Sequence, residues 1–422
     1  MRQFLLLFGG LHFTLLLQAQ DTLRLSRADA ETLFLQNNLL LLSEKLHIET
    51  QQAEVIQAKA WPNPQFSIDE VNLWQNKGVE PSPPFWGNFG RNQQVAFQLD
   101  QLVQTAGKRK KLVAMEEVEV AKAAQYFEEL LRALKLELRN QLTELQFLQQ
   151  SISVHQNLRA HVAKLTTAYK HQLDGGNIPK AAYIRLKAEE LEINQAILGL
   201  TQQAYEIQKD LKILLRTNPS TTIEITDDGH TNVNDGDGNY PTEKTIGKAL
   251  ENRPDYRLAE LDVEYADKLI AYEKAQRIPD LTFGVGYDRN GSTMLDFVGI
   301  GVSFDLPIFN HNKGGIKKSR IQKEQSTVQK EQTALTIRNE IHLAYQSLQQ
   351  AVSFLDQIEA DYEDELEQLL NNYTRNFMER NVDMVTFLDF MDAYLTNKSS
   401  ILEAQKEVRQ KSEELNYALG NN

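Results

Sequence analysis

The sequence predicts a mainly α-helical protein with a small β part, built from a duplicated helix–strand–strand–helix unit. Three observations support this fold class. Segments of the first half recur in the second half, and two stretches without proline or glycine far exceed the length of an average helix. Segments in which apolar and polar residues alternate precede each long stretch, as expected for strands.

The N-terminus is predicted to be a secretory signal peptide over residues 1–20. Arg2 precedes an almost wholly apolar run at 4–17, and Ala19 supplies a small residue for cleavage. This order of charged, apolar and small residues is typical of signal peptides. A buried N-terminal helix is the alternative. We therefore expect the mature chain to leave the cytoplasm.

The composition excludes several classes of function. The chain contains no Cys, which rules out disulfides and thiol catalysis. Its 58 acidic and 45 basic residues give a net charge of -13, which disfavours nucleic-acid binding. The sequence contains no serine-hydrolase, phosphate-loop or zinc-protease motif, and its 8 histidines form no ligand set. We predict a protein that is not an enzyme and has no cofactor and no metal site.

An internal repeat defines the domain organisation. Residues 58–66 (AKAWPNPQF) and 275–283 (AQRIPDLTF) share Ala, Pro and Phe at matching positions. Shorter matches follow in the same order, with RN at 139–140 and 338–339 and LQQ at 148–150 and 348–350. The repeat predicts a first unit over 21–216, a polar connector over 217–242 and a second unit over 243–422.

In the first unit, a helix predicted over 25–60 is stopped by two prolines, because proline cannot continue a helix. Strands are predicted at about 65–74 and 92–103, separated by a loop over 75–90 that is rich in glycine and proline. The alternation of apolar residues is less regular in the first of these strands than in the second.

A helix over 108–173 follows and spans about 100 Å at 1.5 Å per residue. Gly175 and Gly176 end it, and Asn177 is predicted to cap a return helix over 178–216. Apolar residues at spacings of 3 and 4 form one seam along the long helix: Leu131, Leu134, Leu138, Leu142, Leu145, Leu148 and Ile152. Such a seam is typical of coiled coils and requires neighbouring helices, which favours a rod or a tube.

The second unit is predicted to repeat this plan. Its elements are a helix over 243–277, strands at about 281–287 and 296–306, a helix that follows Gly314 and Gly315 and ends at about 378, and a last helix to about 419. Asn381 is predicted to cap the last helix.

The fourth strand alternates most strictly. Gly299 and Gly301 lie on one face, and the other face is predicted to contact lipid through Val298, Ile300, Val302 and Phe304. A soluble, half-buried sheet is the alternative. Four strands are too few to close a membrane-spanning barrel, whereas three protomers would supply twelve.

Local motifs, in the same order in both units, resemble the TolC family of outer-membrane efflux proteins over essentially the whole mature chain. In the second unit they are RPD at 253–255, the segment A…PDL at 275–281, and LPIF followed by GG within 306–315. In the first unit QL followed by GKR at 101–109 has the form of the family's passage from strand to long helix.

This resemblance implies a homotrimeric α-helical barrel that continues into a 12-stranded transmembrane β-barrel, with 4 strands from each protomer. It implies a porin-like channel in the outer membrane of a Gram-negative bacterium, in contact with lipid and extending into the periplasm. Its partners would be a periplasmic adaptor and an inner-membrane pump of the RND type. The compact length resembles the heavy-metal branch of the family, the CzcC- and CusC-like proteins.

The resemblance also places the periplasmic end of the channel at the two helix turns, 174–179 and 379–392. The turn residues would be Gly175, Gly176, Asn177 and Asn381. Candidate gate or selectivity residues are Asp383, Asp389 and Asp392, because threefold symmetry would turn one Asp into a ring that attracts cations. Each could instead be a helix-start acid or a solvated side chain. Methionines near the second turn could pass soft metals or simply pack, namely Met378, Met384 and Met391.

We therefore expect the exit duct of a tripartite efflux system for small solutes, with metal cations as a candidate substrate class. The alternatives are an exit duct for polypeptides in type I secretion, a periplasmic adaptor, and a structural coiled-coil protein. An adaptor would need one helical hairpin within a β-domain, and a structural protein would not need strands with a glycine face.

Overall fold

A computed structural model describes residues 22–69, 94–226, 241–289, 294, 296–359 and 361–421. The predicted signal peptide, the predicted loop at 75–90 and residues 227–240 of the predicted connector lie outside these ranges. Within the described ranges, long helices dominate, and a two-stranded and a four-stranded sheet complete the fold.

The prediction of one helix over 25–60 was wrong in two respects: its first residue belongs to a strand, and the helix is divided in two. The described part of the chain starts with β1 (Thr22–Leu25), followed by α1 (Arg27–Asn37) and α2 (Leu39–Lys59). Asn38 breaks the helix, because its side chain accepts hydrogen bonds from the backbone N–H groups of the next helix and donates to the Leu214 carbonyl. The apolar periodicity continues through this residue, so the pattern alone did not reveal the break.

The small parallel sheet was missed. It pairs β1 with β4 (Thr222–Ile225), and β4 lies inside the predicted polar connector. Side chains complete the pairing, since Gln149 donates to the Ile223 carbonyl and accepts from the Ile225 N–H. A four-residue strand is too short to stand out in a polar segment.

The four predicted strands form one antiparallel sheet. They are β2 (Gln65–Asp69), β3 (Val95–Val103), β5 (Leu281–Arg289) and β6 (Asp296–Ser303), in the order β2-β3-β5-β6. β5 ends two residues later than predicted, and β6 ends before 304–306, which were assigned to it. Residues 70–74 of the first predicted strand lie outside the described residues.

The long helix of the first unit agrees with the prediction to one residue. It is α3 (Lys108–Asp174), 67 residues long, and the return helix is α4 (Lys180–Leu215). Gly176 adopts φ 72°, a left-handed conformation that glycine accepts without strain. Asn177 lies in the turn, but Pro179 occupies the N-cap position, so the predicted cap at Asn177 was wrong.

The second unit is more interrupted than predicted. Its first helix is divided into α5 (Glu243–Asn252) and α6 (Pro254–Ala275), because Pro254 cannot donate to a preceding turn and suits a first helical position. The predicted helix to 378 is divided into α7 (Lys313–Leu355) and α8 (Tyr362–Met378). Acidic residues fill the first turn of α8, where the helix dipole favours them.

The last helix is α9 (Met384–Leu419). Asp383, not Asn381, occupies its N-cap position, which corrects the predicted cap.

The predicted leucine seam is confirmed as core. Five leucines of the seam are at most 6% exposed and pack against α1, the small sheet and the end of α4, namely Leu134, Leu138, Leu142, Leu145 and Leu148. Leu131 and Ile152, at the ends of the seam, are partly buried against the same cluster. A second cluster joins α3, α4, α8 and α9 near the turns.

In the described part of the chain, the helices form one layer in each half of the molecule. In the half next to the large sheet, here called the sheet half, the order is α2-α3-α6-α7. Ion pairs join successive neighbours: Lys59 with Glu117, Lys122 with Asp262, and Lys323 with Asp267. In the half that ends at the two turns, here called the turn half, the order is α4-α3-α9-α8. The layer therefore has two edges.

Candidate functional site

The large sheet exposes an apolar face. Phe66 lies opposite Leu99, Leu99 opposite Val285, and Val285 opposite Ile300, so one apolar row crosses all four strands. The exposed fraction of Ile300 is 87%. A contiguous exposed apolar surface of this kind indicates contact with a membrane or with another protein surface.

Of the four residues predicted to contact lipid, three lie within β6 and one follows its end. Val298, Ile300 and Val302 lie on the exposed apolar face of the sheet. Phe304 is 52% exposed but follows the strand, so its assignment to the strand was wrong. Stacked rings of Phe66, Phe97 and Tyr287 extend the apolar face across the other strands.

On the opposite face of the sheet, polar side chains lie close to the backbone. Gln98 donates a hydrogen bond to Asp100 over 2.9 Å, and both side chains lie across the glycines of β5. A Cβ atom at Gly284 would lie 2.5 Å from the Asp100 Oδ1, so a larger residue there would displace the carboxylate from this position. The Gln98 and Asp100 side chains therefore lie close to the backbone of β5 at these glycines.

This polar face is also acidic. By the strand register, Asp69 and Asp288 flank Ala96 in one row, and Asp100 lies opposite Gly284 on the same face. Among the described strand residues of this face there is no Lys or Arg. The face would attract cations if it lined an enclosed aqueous space.

Buried ion pairs connect the sheet to the long helices. Lys108, 4% exposed, lies 2.9 Å from Asp280, and Asp280 also accepts from the Thr105 N–H. Gly107 precedes α3 with φ 67°. The Asp of the PDL motif therefore anchors the first turn of α3 beside the start of β5.

The RPD motif has a similar anchoring role at the other end of α6. Arg253 bonds to Asp255 over 2.6 Å and donates to the Ala418 carbonyl, while Arg132 donates to the Tyr417 carbonyl. Burial raises the pKa of Asp255, but the hydrogen bonds and charge of Arg253 outweigh it and leave the pKa below its ordinary value. Two arginines thus satisfy the last carbonyls of α9.

The two helix turns lie side by side. Arg380 donates to the Gln172 side chain over 3.2 Å, across the two turns. The ring of Phe377 stacks on Tyr169 at 5.3 Å and on Phe387 at 4.5 Å. The structure therefore brings the predicted turn residues of both units to one end of the molecule.

Of the predicted gate residues, Asp383 has a local structural role. Its carboxylate accepts from the N–H groups of Val385 and Thr386 and from the Thr386 hydroxyl. The Thr386 bonds lower the pKa of Asp383. Asp389 and Asp392 are exposed on α9.

Two further acids near the turns were missed. Burial raises the pKa of Glu189 on α4, and the nearby charges of Asp392 and Glu192 raise it further. Asp392 therefore belongs to an acidic patch shared by α4 and α9. The sequence offered only the local run 189–192 (EELE), because its proximity to α9 depends on the tertiary fold.

The methionines near the second turn are mainly packing residues. Met391 is fully buried in the cluster of the turn half, and Met384 packs partly against it. Met378 is exposed. Within the described residues, no group of three or more His, Asp or Glu side chains is placed to bind a metal ion.

A buried charge network joins α8 to α9 beside the break between α7 and α8. The Lys398 ammonium, in a side chain only 5% exposed, lies 2.8 Å from Glu363 and 2.9 Å from Glu367. Burial and the hydrogen bond to Glu367 raise the pKa of Tyr394, whose hydroxyl donates to Glu367 over 2.7 Å. These contacts fix α8 to α9.

The edges of the layer remain exposed in a single chain. α2 and α7 are the edge helices of the sheet half, and β2 and β6 are the edge strands of the large sheet. None of the described helices is both long enough and apolar enough to cross a membrane.

Comparison with known proteins finds a family match in the second unit. The family model "Outer membrane efflux protein" matches residues 245–421, which is the second unit. A segment of 76 residues is 30% identical to the cobalt-zinc-cadmium resistance protein CzcC of Cupriavidus metallidurans and covers 18% of each chain. An uncharacterized protein of Haemophilus influenzae is 25% identical over 57% of this chain. The matches span 18% and 56% of these relatives, less than two thirds of either.

Solved structures share the fold over nearly the whole chain. CusC superimposes with a TM-score of 0.74 at 15% identity and covers 94% of this chain and 92% of its own. The outer membrane protein VceC of Vibrio cholerae gives 0.71 at 18% identity, with 93% and 96% covered. The CmeC outer membrane channel of Campylobacter jejuni gives 0.75 at 13% identity, with 94% and 85% covered. The second unit therefore matches the outer membrane efflux family, and the chain as a whole shares the fold of these outer-membrane channels.

Proposed function

We propose that this protein is the outer-membrane channel of a tripartite efflux system, a passive exit duct for small solutes that include metal cations. The observation that carries the proposal is the continuous passage from a helical layer with two free edges into a sheet with one exposed apolar face and one acidic glycine face. Copies joined at these edges would enclose a channel.

The sheet is proposed to be the membrane segment. Its apolar face would contact lipid, and its polar, glycine-containing face would line the lumen. A closed barrel leaves no strand edge unpaired in lipid, and the free edges β2 and β6 allow such closure between copies. Three copies would supply twelve strands, which favours a homotrimer.

The helices are proposed to extend the duct into the periplasm. α3 alone, with 67 residues, spans about 100 Å. The two adjacent turns would form the periplasmic end, where a periplasmic adaptor and an inner-membrane pump of the RND type would dock. The match of the second unit to the outer membrane efflux family supports such partners and a location in the outer membrane of a Gram-negative bacterium.

Metal cations are the proposed substrate class. The matched segment of CzcC supports the heavy-metal branch, since that protein is named for cobalt, zinc and cadmium resistance. The acidic face of the sheet and the acids near the turns would both favour cations over anions. Asp389 and Asp392 are the proposed gate or selectivity residues, and Asp383 contributes its charge while it caps α9.

Single-channel recording in planar lipid bilayers tests this proposal. The purified protein should conduct and should show a cation-selective reversal potential in a KCl gradient. Asp100→Asn should reduce the selectivity at the sheet, and Asp392→Asn should reduce it at the turns. Asp364→Asn, on the exposed side of α8, is the matched control and should change nothing.

Failure to conduct, together with recovery of the protein outside the outer membrane, would contradict the duct and favour an adaptor or a structural protein. Conductance without any cation preference would contradict the metal substrate class. In that case, export of a polypeptide in type I secretion would become the better account.

A further inference from the structure

Exposed apolar side chains surround the edge of the large sheet at which its strands join the helices. Four segments lie at this edge and are here called the junction: 57–64, 104–112, 274–280 and 304–320. Trp61 is exposed there, and the loop after β6 adds four more exposed apolar side chains: Phe304, Leu306, Ile308 and Phe309. Aromatic side chains at one end of a membrane-spanning sheet are typical of the boundary between hydrocarbon and headgroups.

The junction is also strongly basic. Its four segments contain eleven Lys or Arg and two Asp, in a chain whose net charge is -13. One of the two acids, Asp280, is already paired with Lys108 at 2.9 Å. The junction is therefore a positively charged band on an acidic protein.

The bases of the junction occupy positions that are unfavourable for helix stability. α3 starts with four bases at 108–111, and α7 carries four within its first eight residues, namely Lys313, Lys317, Lys318 and Arg320. The first turn of neither helix contains an acid. The helix dipole disfavours positive charge at a helix start, and like charges spaced by three or four residues repel each other. An anionic surface outside the chain would offset both penalties.

The bases of α3 and α7 differ in how far the chain itself uses them. Lys111 donates to the Ala106 carbonyl, and the guanidinium of Arg109 stacks on the Trp61 ring at 3.8 Å from its centroid. On α7, the bases at 313, 317, 318 and 320 are exposed and form no ion pair within the described part of the chain. The α7 bases are therefore available to a partner.

The α7 bases also lie close enough to the sheet to reach a headgroup layer. Arg320 follows Lys313 by seven residues, which is about 10 Å along the helix axis. The headgroup region on each side of a bilayer is about 5–8 Å thick, and attraction between exposed charges extends over about 8 Å at physiological ionic strength. A shallow groove in the first turns of α7 is lined by Lys317, Lys318 and Ile321, so apolar surface lies beside two ammonium groups. A phospholipid offers the complementary pair, a phosphate and an acyl chain.

We infer that the junction binds the anionic headgroups of phospholipids in the leaflet nearer to the helices, mainly through the four α7 bases. Trp61 and Phe309 enter the boundary of the hydrocarbon beside them. The inference rests on the proposed assignment of the sheet as the membrane segment. It names the lipid class, and it fixes the depth of the sheet in the bilayer, because the charged band stays out of the hydrocarbon and is attracted to anionic lipid.

Native mass spectrometry of the detergent-solubilised protein tests this lipid site. The protein would be titrated with phosphatidylglycerol and, separately, with phosphatidylcholine of the same acyl chains. Phosphatidylglycerol should bind more tightly, and its advantage should decrease as the concentration of ammonium acetate rises. Replacement of all four α7 bases by Gln should reduce the affinity for phosphatidylglycerol by more than about tenfold, because each base near an anionic surface contributes roughly a factor of five. The affinity for phosphatidylcholine should stay the same.

A matched control neutralises the same number of exposed bases on helix segments away from the sheet. Its substitutions are Lys164→Gln, Lys180→Gln, Arg185→Gln and Lys248→Gln. This variant should bind both lipids as the unchanged protein does. If it loses as much affinity for phosphatidylglycerol as the α7 variant, the general charge of the protein binds the lipid, and the junction site is overturned.

A second variant separates lost charge from lost folding. Lys313→Arg, Lys317→Arg and Lys318→Arg together keep the charge of α7 and should keep the preference for phosphatidylglycerol. Loss of the preference in this variant would contradict a site that depends on charge.

Planar bilayer recordings distinguish failure of the lipid site from failure of the duct. If the Gln variant of α7 binds phosphatidylglycerol normally but changes the ion selectivity, the bases face the lumen, which overturns the lipid site and leaves the duct intact. Conductance by a protein that binds both lipids equally would have the same meaning. A protein that neither conducts nor is recovered in the outer membrane would overturn both proposals.

Discussion

The two units of the chain share one plan but differ in how their turn halves are built. In the first unit, α3 runs unbroken for 67 residues from the sheet to the turn. In the second, the same path is divided into α7, with 43 residues, and α8, with 17. The break lies beside the charge network around Lys398.

The difference shows how two copies of one plan acquire different mechanical properties. The first unit is fixed along its length by fully buried leucines such as Leu138 and Leu145, and apolar burial depends little on pH or salt. In the second unit, α8 depends in addition on titratable contacts with α9. We expect the first unit to be the rigid frame and α8 to be the least stable long segment.

The largest effect is expected from the apolar seam of the first unit. Leu142→Ala should destabilise the protein by about 2–5 kcal/mol, because it opens a cavity at a site only 1% exposed. Thermal unfolding of the detergent-solubilised protein would measure the loss. Gln156→Ala, on the exposed side of the same helix, is the control and should leave the melting temperature unchanged. Equal melting temperatures for all three proteins would show that α3 is not the frame.

Removal of Lys398 should have a smaller and more local effect. Lys398→Met leaves Glu363 and Glu367 without their base, but both carboxylates are partly exposed. The cost should therefore be below the roughly 3–5 kcal/mol of a fully buried pair. Hydrogen exchange should accelerate in α8 and stay unchanged in α3. Gln368→Ala, at an exposed position of α8, should not accelerate exchange, and acceleration in α3 as well would contradict the local role.

The same network predicts a dependence on pH. Burial acts to raise the pKa of Glu367, but hydrogen bonds from Lys398 and Tyr394 outweigh it and leave the pKa below the ordinary 4.5. A lowered carboxyl pKa stabilises the folded state above the unfolded value, and the gain is lost as pH falls through the folded value. Protection of α8 from hydrogen exchange should thus hold from neutral pH to about 4.5 and decline below it.

Substitution of His161 distinguishes the two groups whose protonation could reduce the protection of α8. Burial lowers the pKa of His161, so the folded state favours the neutral ring and loses stability as pH falls below 6.5. His161→Gln should remove any loss of protection that begins near pH 6.5 and leave the loss below 4.5 in place. A single transition that this substitution abolishes entirely would show that Glu367 does not anchor α8.

The smallest effect on stability is expected at the second turn. Substitutions of Asp383 there distinguish its role as a helix cap from a role of its charge in gating. Asp383→Ala should lower the melting temperature slightly, because α9 loses the acceptor for two N–H groups. Asp383→Asn should keep the cap and remove the charge. Asp389→Ala, at an exposed position, should not change the melting temperature. If Asp383→Asn destabilises as much as Asp383→Ala, the charge and not the cap stabilises the turn.

The sequence predicted the elements that depend on long, uninterrupted patterns. The limits of α3 followed from a stretch without glycine or proline and from the Gly175–Gly176 pair that ends it. The exposed apolar face of β6 followed from strict alternation.

The breaks were missed because each depends on one residue or on tertiary contacts. Asn38 interrupts an apolar run that is periodic on both sides, and Pro254 divides the segment 243–277 that was predicted to be one helix. The predicted helix to 378 is divided after Leu355, beside the acidic first turn of α8 and the contacts of Lys398 from α9. Contacts between distant segments such as these cannot be read from a local sequence pattern.

The candidate site was predictable only in part, for a similar reason. Asp383, Asp389 and Asp392 were predicted as gate candidates from their place beside the second turn, and that role stays a prediction. Glu189 joins Asp392 only through the packing of α4 near α9. The pairing of Asp100 with Gly284 likewise depends on strand register. The fold sets the distances between elements, and local periodicity in the sequence does not predict them.

Electron microscopy of the purified protein in detergent or nanodiscs would test the central claim most directly. We expect particles with threefold symmetry and a hollow, elongated body, in which a disc of lipid or detergent surrounds one end at the level of β2, β3, β5 and β6. The helical body should extend beyond that disc by about 100 Å, the length of α3. Single-chain rods, or closed particles without a central channel, would contradict the account.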